Sequence, residues 1–187
     1  MPDDTSTVRS RAQESPASSL VAPHIERLTP YVPGMPTEEL ERRFGVRDAI
    51  KLASNENPLG PSPRALEAAE AALREGHRYP DPYRLRAAIA AHHGVSLAEV
   101  ILGNGTDELI ALAARTFGRP GETSIYPAPS FPTYALATTA QAMQARVIPL
   151  REHIDYDVEA MIAAVRGEAR LFFLANPNNP TGAHLSR

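Results

Sequence analysis

Residues Phe172–Gly182 read FFLANPNNPTG, an apolar run that ends abruptly in two Asn-Pro steps and a Thr-Gly step. A short apolar run bounded by such turn-forming residues is typical of a buried strand leaving a sheet. Asn179 is constrained by the proline that follows it, and its side-chain amide is able to donate a hydrogen bond to an anionic ligand oxygen. Because X-Pro bonds adopt the cis form at low cost, the sequence also allows a cis Asn179–Pro180 bond. The alternative is a plain turn, since these dipeptides are common turn formers.

The composition is that of an ordinary globular protein, with 187 residues, 43% apolar and 22% charged. A net charge of −3 gives no reason to expect nucleic acid or an anionic membrane as a partner, and no apolar run is long enough to span a bilayer. The absence of cysteine excludes disulfides and thiolate metal sites, and we predict no metal site. The N-terminus lacks the apolar segment of a secretory signal, so we expect a cytoplasmic protein. Lys51 is the only lysine in the chain.

From Glu99 onward, predicted strands alternate with predicted helices at the spacing of βα units, which indicates a mostly parallel sheet covered by helices. Helices are predicted over 37–44, 62–75, 83–93, 103–117, 130–141 and 157–166, and strands over 50–52, 99–102, 122–129, 144–150 and 169–176. In such sheets, ligands bind beyond the carboxyl ends of the strands. The segments that follow these ends are GNGTDE, YPAPSFPTY and NPNNPTG.

GNGTDE, residues Gly103–Glu108, follows a predicted strand and opens a helix. Its glycines allow a tight turn, and the amides of Thr106 and Asp107 then face outward at the positive end of the helix, where an anion such as a phosphate is favoured. The acidic side chains argue against a phosphate unless they turn away and only the amides bind. The alternative is an ordinary helix start, since short glycine loops are common.

YPAPSFPTY, residues Tyr126–Tyr134, contains three prolines and three aromatic residues beyond a predicted strand. A planar ligand needs a rigid flat partner, and Phe131 or Tyr134 is able to stack on one. The alternative, which composition alone favours, is a strand-to-helix corner whose aromatic side chains fill the core.

Taken in order, LASNENPLGPSP, RYPD, GNGTDELI, YPAPSFPTY and NPNNPTG resemble the motifs of the histidinol-phosphate branch of the fold-type I, pyridoxal-phosphate-dependent aminotransferases, and PYVPGM resembles the arm motif that opens that family. The resemblance implies a three-layer α-β-α fold with a mostly parallel sheet, the large domain of a fold-type I aminotransferase, here incomplete, and an N-terminal arm that contributes to a small domain. Together with the polar N-terminus, it suggests a disordered tail over 1–22, an arm and small-domain segment over 23–60, and a partial cofactor-binding large domain over 61–187.

The resemblance also implies which residues contact pyridoxal 5'-phosphate and the substrates of a homodimer. Asn179 is expected to hydrogen-bond the phenolic oxygen of the cofactor, and Phe131 to stack on its ring. Thr106 and Asp107 are expected to bind the cofactor phosphate through their backbone amides. Tyr79 is expected to contact the cofactor phosphate in the partner subunit, and Tyr31 and Asn55 are expected to lie near the substrate.

Three groups that transamination needs lie after the NPTG turn in members of this family: the Schiff-base lysine, an acid at the pyridine nitrogen, and an arginine for the substrate carboxylate. We therefore predict no catalytic residue within this chain. Lys51 lies in AIKLASNEN and is expected to be a solvated or strand-edge lysine. The chain resembles the N-terminal portion of such an enzyme, and we expect it to be inactive alone.

The expected function is the transfer of an amino group between L-histidinol phosphate and 2-oxoglutarate in histidine biosynthesis, with a small-molecule amino donor and a 2-oxo acid as partners. An aromatic amino-acid aminotransferase and a threonine-phosphate decarboxylase are alternatives within the same superfamily. Two further alternatives are a catalytically inactive fragment and a phosphate-binding α/β domain unrelated to transamination.

Overall fold

The computed structural model describes residues 20–186. Most of the predicted tail over 1–22 lies outside the described residues. Contacts divide the chain into two compact units. We call Met1–Pro30 together with Asp107–Arg187 the sheet unit, and Tyr31–Thr106 the helical unit. The domain boundaries at 22/23 and 60/61 stay predictions.

Apart from α1, which was not predicted, the helices follow the order that the sequence predicts, as do three of the five predicted strands. The helices are α1 (Pro23–Glu26), α2 (Thr37–Phe44), α3 (Pro63–Leu73), α4 (Tyr83–His93), α5 (Gly105–Phe117), α6 (Thr133–Ala140) and α7 (Val158–Val165), and the strands are β1 (Thr123–Ala128), β2 (Gln144–Pro149) and β3 (Leu171–Phe172). Local signals account for several of these bounds. Pro63 occupies the first position of α3, where its missing N–H costs nothing, and the Asp157 side chain caps α7 by accepting from the Ala160 amide at 3.0 Å.

The sheet has the order β2-β1-β3, and both pairings are parallel. Ile125 of the central strand lies opposite Arg146 on one side and Phe172 on the other. The predicted parallel α/β architecture is therefore confirmed in the sheet unit.

Side chains of β1 alternate between two hydrophobic clusters, as successive residues of a strand must. Ile125 belongs to the cluster that also contains Ile148, Leu150, Tyr156, Met161, Ala164 and Ala183. Tyr126 belongs to the cluster that also contains Ile110, Ala114, Tyr134 and Ala137. Since the first cluster includes α7 and the second includes α5 and α6, helices cover both faces of the sheet.

Two predicted strands are absent and one is shorter than predicted, all within the described part of the chain. Residues 50–52 form no strand, and Ile50 and Leu52 are 86% and 92% exposed, without the pairing that a strand needs. Residues 100–102 form none either, and the Val100 carbonyl oxygen accepts from the Nε of Arg86 at 3.0 Å. The third strand pairs over Leu171–Phe172 only, although one more bond follows, from the Phe173 amide to the Ile125 carbonyl at 2.9 Å.

The helical unit contains α2, α3, α4 and a single 3-10 turn over Leu97–Glu99. The Arg86 guanidinium joins α4 to this turn, since its Nη2 donates to the Leu97 carbonyl oxygen at 2.7 Å. Ala90 and Val100 are buried in this unit, whereas α3 has no buried residue.

Candidate functional site

The loops that follow β1 and β3 are joined by the side chain of Asn178, which is only 4% exposed. Its Oδ1 accepts from the Ser130 hydroxyl at 2.7 Å, and its Nδ2 donates to the Pro129 carbonyl oxygen at 3.0 Å. The same Nδ2 donates to the Thr181 hydroxyl oxygen at 2.9 Å. The carboxyl ends of two neighbouring parallel strands are thus tied together where ligands bind in such sheets.

The NPNNPTG loop is closed by its own backbone. The Asn178 amide donates to the Ala183 carbonyl oxygen at 2.7 Å, and the Gly182 amide donates to the Asn178 carbonyl oxygen at 2.8 Å. Gly182 has a φ of 77°, a conformation that favours glycine. The Asn179–Pro180 bond is cis, as the sequence allows, and Asn176–Pro177 and Ala128–Pro129 are cis as well. Asn179 is partly exposed beside this anchored neighbour.

Aromatic side chains line the start of α6 and the end of β3. Tyr134 is 6% exposed and stacks on Phe173 with ring centroids 5.1 Å apart. Burial raises the pKa of its phenol. Phe131 meets Tyr134 edge to face at 5.9 Å but remains partly exposed. The structure therefore assigns Tyr134 to the core, as the alternative reading of this segment expects, and leaves Phe131 at the border between core and solvent.

The N-terminal turn of α5 begins at Gly105, whose amide donates to the Gly103 carbonyl oxygen at 2.9 Å. The Asp107 carboxylate accepts from the Thr133 hydroxyl at 2.7 Å, which links the start of α5 to the start of α6. The amides in the first turn of a helix have no acceptor within the helix. The Thr133 hydroxyl thus engages Asp107, one of the two acidic side chains that the sequence places in this turn.

A further buried phenol lies in the sheet unit beneath this edge. Tyr156 is 6% exposed, and its hydroxyl donates to the Ala175 carbonyl oxygen, just before the NPNNPTG loop. Burial, and secondarily the nearby Tyr134, raises the pKa of Tyr156. Sequence reasoning did not single out Tyr156, because a lone tyrosine before a helix has no distinctive pattern.

Sequence reasoning also missed the residues that hold the site together. Asn178 had no predicted role, and neither did the hydroxyls of Ser130 and Thr133. All three are polar residues within or beside the recognised motifs. Their position next to proline and aromatic residues was a usable signal, but their partners lie 26 to 49 residues away in the chain.

Four of the residues expected at the site belong to the helical unit. Tyr79 is fully exposed, Tyr31 is 55% exposed, and Asn55 is exposed with a φ of 52°. Thr106 is the last residue of this unit and precedes Asp107 within α5.

Lys51, also in the helical unit, forms an ion pair with Glu56, with Nζ 2.5 Å from Oε1. Its side chain is 22% exposed, so it is less solvated than expected, and no strand forms there for it to border.

Two kinds of site are absent from the described residues. Across residues 20–186, no group of three or more His, Asp or Glu side chains is arranged to hold a metal ion. No helix in the same range combines the length and the apolar character that crossing a membrane requires.

Comparison with known proteins places these features in a family. Residues 47–187 match the model of the family described as aminotransferase class I and II. Histidinol-phosphate aminotransferase from Anaeromyxobacter sp. (strain Fw109-5) is 50% identical over 165 residues, which cover 87% of this chain and 45% of that protein. Histidinol-phosphate aminotransferase 2 from Pseudomonas aeruginosa is 45% identical over 168 residues, which cover 88% of this chain and 45% of that protein.

A solved structure shares the fold. The crystal structure of histidinol-phosphate aminotransferase from Sinorhizobium meliloti in complex with pyridoxal-5'-phosphate superposes with a TM-score of 0.76 at 32% identity. The superposition covers 88% of this chain and 44% of that chain. This chain therefore spans a little under half the length of the relatives that it matches. The matched motifs, the parallel sheet and the family model agree: the chain belongs to the aminotransferase class I and II family.

Proposed function

We propose that this chain takes part in pyridoxal-phosphate-dependent transamination, with L-histidinol phosphate as amino donor and 2-oxoglutarate as acceptor, in histidine biosynthesis. The proposal rests mainly on the side-chain bonds Asp107–Thr133 and Ser130–Asn178, which connect the three expected cofactor segments at one edge of the sheet. The similarity to two proteins named histidinol-phosphate aminotransferase supports the choice of donor.

The start of α5 suits the phosphate group of the cofactor. In this proposal the amides of Thr106 and Asp107 donate to phosphate oxygens at the positive end of the helix. A free carboxylate there would repel the phosphate dianion. The Thr133 hydroxyl donates to the Asp107 carboxylate at 2.7 Å, and in this proposal that bond holds the carboxylate away from the phosphate.

The loops after β1 and β3 suit the ring. Phe131, whose side chain is partly exposed, would stack on the pyridine face. Asn179 donates its side-chain amide to the phenolic oxygen and thereby stabilises the ionised form of that oxygen. When bound, pyridoxal phosphate supplies the electron sink that transamination requires.

The proposal assigns no catalytic group within this chain. The only lysine, Lys51, is held by Glu56 in an ion pair five residues away in sequence. We therefore propose that the chain by itself binds the cofactor and does not turn over.

The substrate and subunit contacts come from the helical unit. We propose that Tyr31 and Asn55 lie near the substrate and that Tyr79 reaches the cofactor phosphate of the partner in a cytoplasmic homodimer. The full exposure of Tyr79 supports a role outside its own subunit. We also retain the division into a tail over 1–22, an arm segment over 23–60 and a large-domain portion over 61–187 as part of the proposal.

Absorbance titration of the purified chain with pyridoxal phosphate tests the cofactor contacts. We expect Asn179→Ala to weaken binding by about tenfold or more, because a hydrogen bond to a charged oxygen contributes roughly 1.5–3 kcal/mol. Phe131→Ala should weaken it by about fivefold, since aromatic stacking contributes roughly 1 kcal/mol. Lys51→Ala is the matched control and should bind like the parent chain. Equal affinity in all four proteins would contradict the assigned contacts.

Borohydride reduction followed by intact-mass measurement tests the absence of a catalytic lysine. We expect no specific adduct on Lys51 and no glutamate from L-histidinol phosphate and 2-oxoglutarate. Glutamate production that Lys51→Ala abolishes would overturn this part. The proposed contacts to the amino donor are tested in a chimera that joins this chain to the remaining part of the Anaeromyxobacter relative. In that chimera, Tyr31→Phe and Asn55→Ala should raise KM for L-histidinol phosphate.

A further inference from the structure

We propose that Asn178 is the positioning residue of this site, because its side chain sets the spacing between the aromatic face of Phe131 and the amide of Asn179. The inference rests on the proposed cofactor contacts and goes beyond them. Asn178 touches neither the ring nor the phosphate in the proposed function, yet its side chain controls the positions of both residues that contact the ring.

The Asn178 side chain makes three hydrogen bonds, each to a protein partner. A primary amide offers one acceptor oxygen and two N–H donors. The oxygen accepts from Ser130, one donor goes to the Pro129 carbonyl, and the other goes to Thr181. At 4% exposure, water has little access to replace any of these bonds. The connection is therefore rigid, and losing it leaves buried polar groups without partners.

The connection acts directly on the two expected ring contacts. Ser130, at one end of the bond, immediately precedes Phe131, and Asn178, at the other end, immediately precedes Asn179. Any change in the Ser130–Asn178 distance therefore moves the ring-stacking side chain relative to the oxygen-binding side chain. Misplacement by about 1 Å is enough to impair a bound ligand's geometry.

The local sequence leaves few backbone donors with which to anchor the segment that carries Phe131. Pro129 and Pro132 flank the segment that carries Phe131, and neither has a backbone N–H with which to anchor it. The Asn178 side chain offers a donor and an acceptor together, so it satisfies the Pro129 carbonyl and the Ser130 hydroxyl at once. Aspartate has the same shape, but it would place a second oxygen against the Pro129 carbonyl, 3.0 Å away.

Asn176 provides a matched control in the same loop. Its side chain makes two hydrogen bonds, donating to the Leu185 carbonyl at 3.0 Å and accepting from the Leu185 amide at 2.8 Å. These bonds stay within the segment after β3 and do not reach the loop that carries Phe131. Both variants remove side-chain hydrogen bonds, two at the exposed Asn176 and three at the buried Asn178, and only Asn178→Ala removes the link between the loops.

Amide hydrogen exchange on the full chain, without any cofactor, tests the link itself. We expect Asn178→Ala to speed exchange across residues 130–134 by about tenfold or more, and Asn176→Ala to leave these residues within about twofold of the parent. Ser130→Ala removes a single bond and should give an intermediate effect if Asn178→Ala is too unstable to measure. Equal exchange at 130–134 in Asn176→Ala and Asn178→Ala would overturn the proposal.

Titration with pyridoxal phosphate then tests the consequence for the ring. We expect Asn178→Ala to weaken binding by about tenfold and to shift the pH at which the bound cofactor changes its absorbance, with Asn176→Ala changing neither. Inorganic phosphate, used as a competitor, should keep the same inhibition constant in both variants, since the α5 amides are untouched. A parent chain that binds no cofactor would refute the proposed function, while the exchange result would still decide the role of Asn178.

Discussion

Replacing Thr138 with valine removes one hydroxyl from the buried contact between α6 and β1 and keeps the shape of the side chain. The Thr138 hydroxyl lies 2.7 Å from the Tyr134 carbonyl oxygen and 3.1 Å from the Ser124 hydroxyl oxygen. Thr138 has a single proton, so donation to the nearer carbonyl leaves its oxygen to accept from Ser124. Thr138 and Ser124 are 1% and 0% exposed, which excludes water as a substitute partner.

The geometry predicts unequal costs for the two single replacements. Thr138→Val leaves the buried Ser124 hydroxyl without a hydrogen-bond acceptor, which should lower the free energy of unfolding by about 1–3 kcal/mol. Ser124→Ala removes its own polar group and leaves Thr138 bonded to Tyr134, so it should cost less than about 1 kcal/mol. The double variant no longer contains a buried hydroxyl without a partner at this contact. It should therefore cost less than the sum, with a coupling of about 1–2 kcal/mol.

Equilibrium urea unfolding of the parent, the two single variants and the double variant gives this coupling directly. Thr139→Val is the control, because Thr139 is the next residue of the same helix and is only partly buried. It should change stability by less than about 0.5 kcal/mol. Equal costs for Thr138→Val and Ser124→Ala, together with simple additivity, would refute the assignment of donor and acceptor.

Three further predictions concern the loop after β3, the start of α7 and the start of α5. Gly182→Ala should destabilise the chain by about 1 kcal/mol in urea unfolding. Gly182 has a φ of 77° and no atom lies within 4 Å of an added Cβ, so the cost comes from the backbone conformation and not from a clash. The hydrogen bond from Arg151 lowers the pKa of Asp157. The ionised Asp157 carboxylate therefore stabilises the fold above about pH 4, and this stabilisation disappears as the pH falls further. In that pH range the melting temperature of Asp157→Asn should fall less steeply than that of the parent. Thr133→Val releases the Asp107 carboxylate and should weaken binding of pyridoxal phosphate several-fold in the absorbance titration, whereas unchanged affinity would show that this carboxylate does not face the phosphate.

Local patterns were sufficient for most of the secondary structure. Ser62 before Pro63, and Asp157 before the apolar run of α7, marked helix starts that the structure contains. Alternating strands and helices after Glu99 correctly predicted a parallel sheet. These successes share one cause: capping and periodicity depend on residues within a few positions of each other.

The wrong predictions share the opposite cause. An apolar segment such as 50–52 becomes a strand only if another strand pairs with it, and no local feature reports that partner. Val100 is similar: it lies in no strand, and its carbonyl oxygen accepts from a side chain fourteen residues upstream. The length of β3 likewise depends on pairing that neighbouring residues do not report, since β3 ends at Phe172 although β1 continues to Ala128.

The sequence by itself determined the order of helices α2 to α7, the motifs at the strand ends and the likeness to one family, because each of these depends on neighbouring residues. It also presented Phe131 and Asn179 as candidates for ring contacts. Only the tertiary structure decided which polar side chains join these motifs. Asn178 reaches Ser130 across 48 residues, and such a bond exists only once parallel strands have brought their carboxyl ends to the same edge.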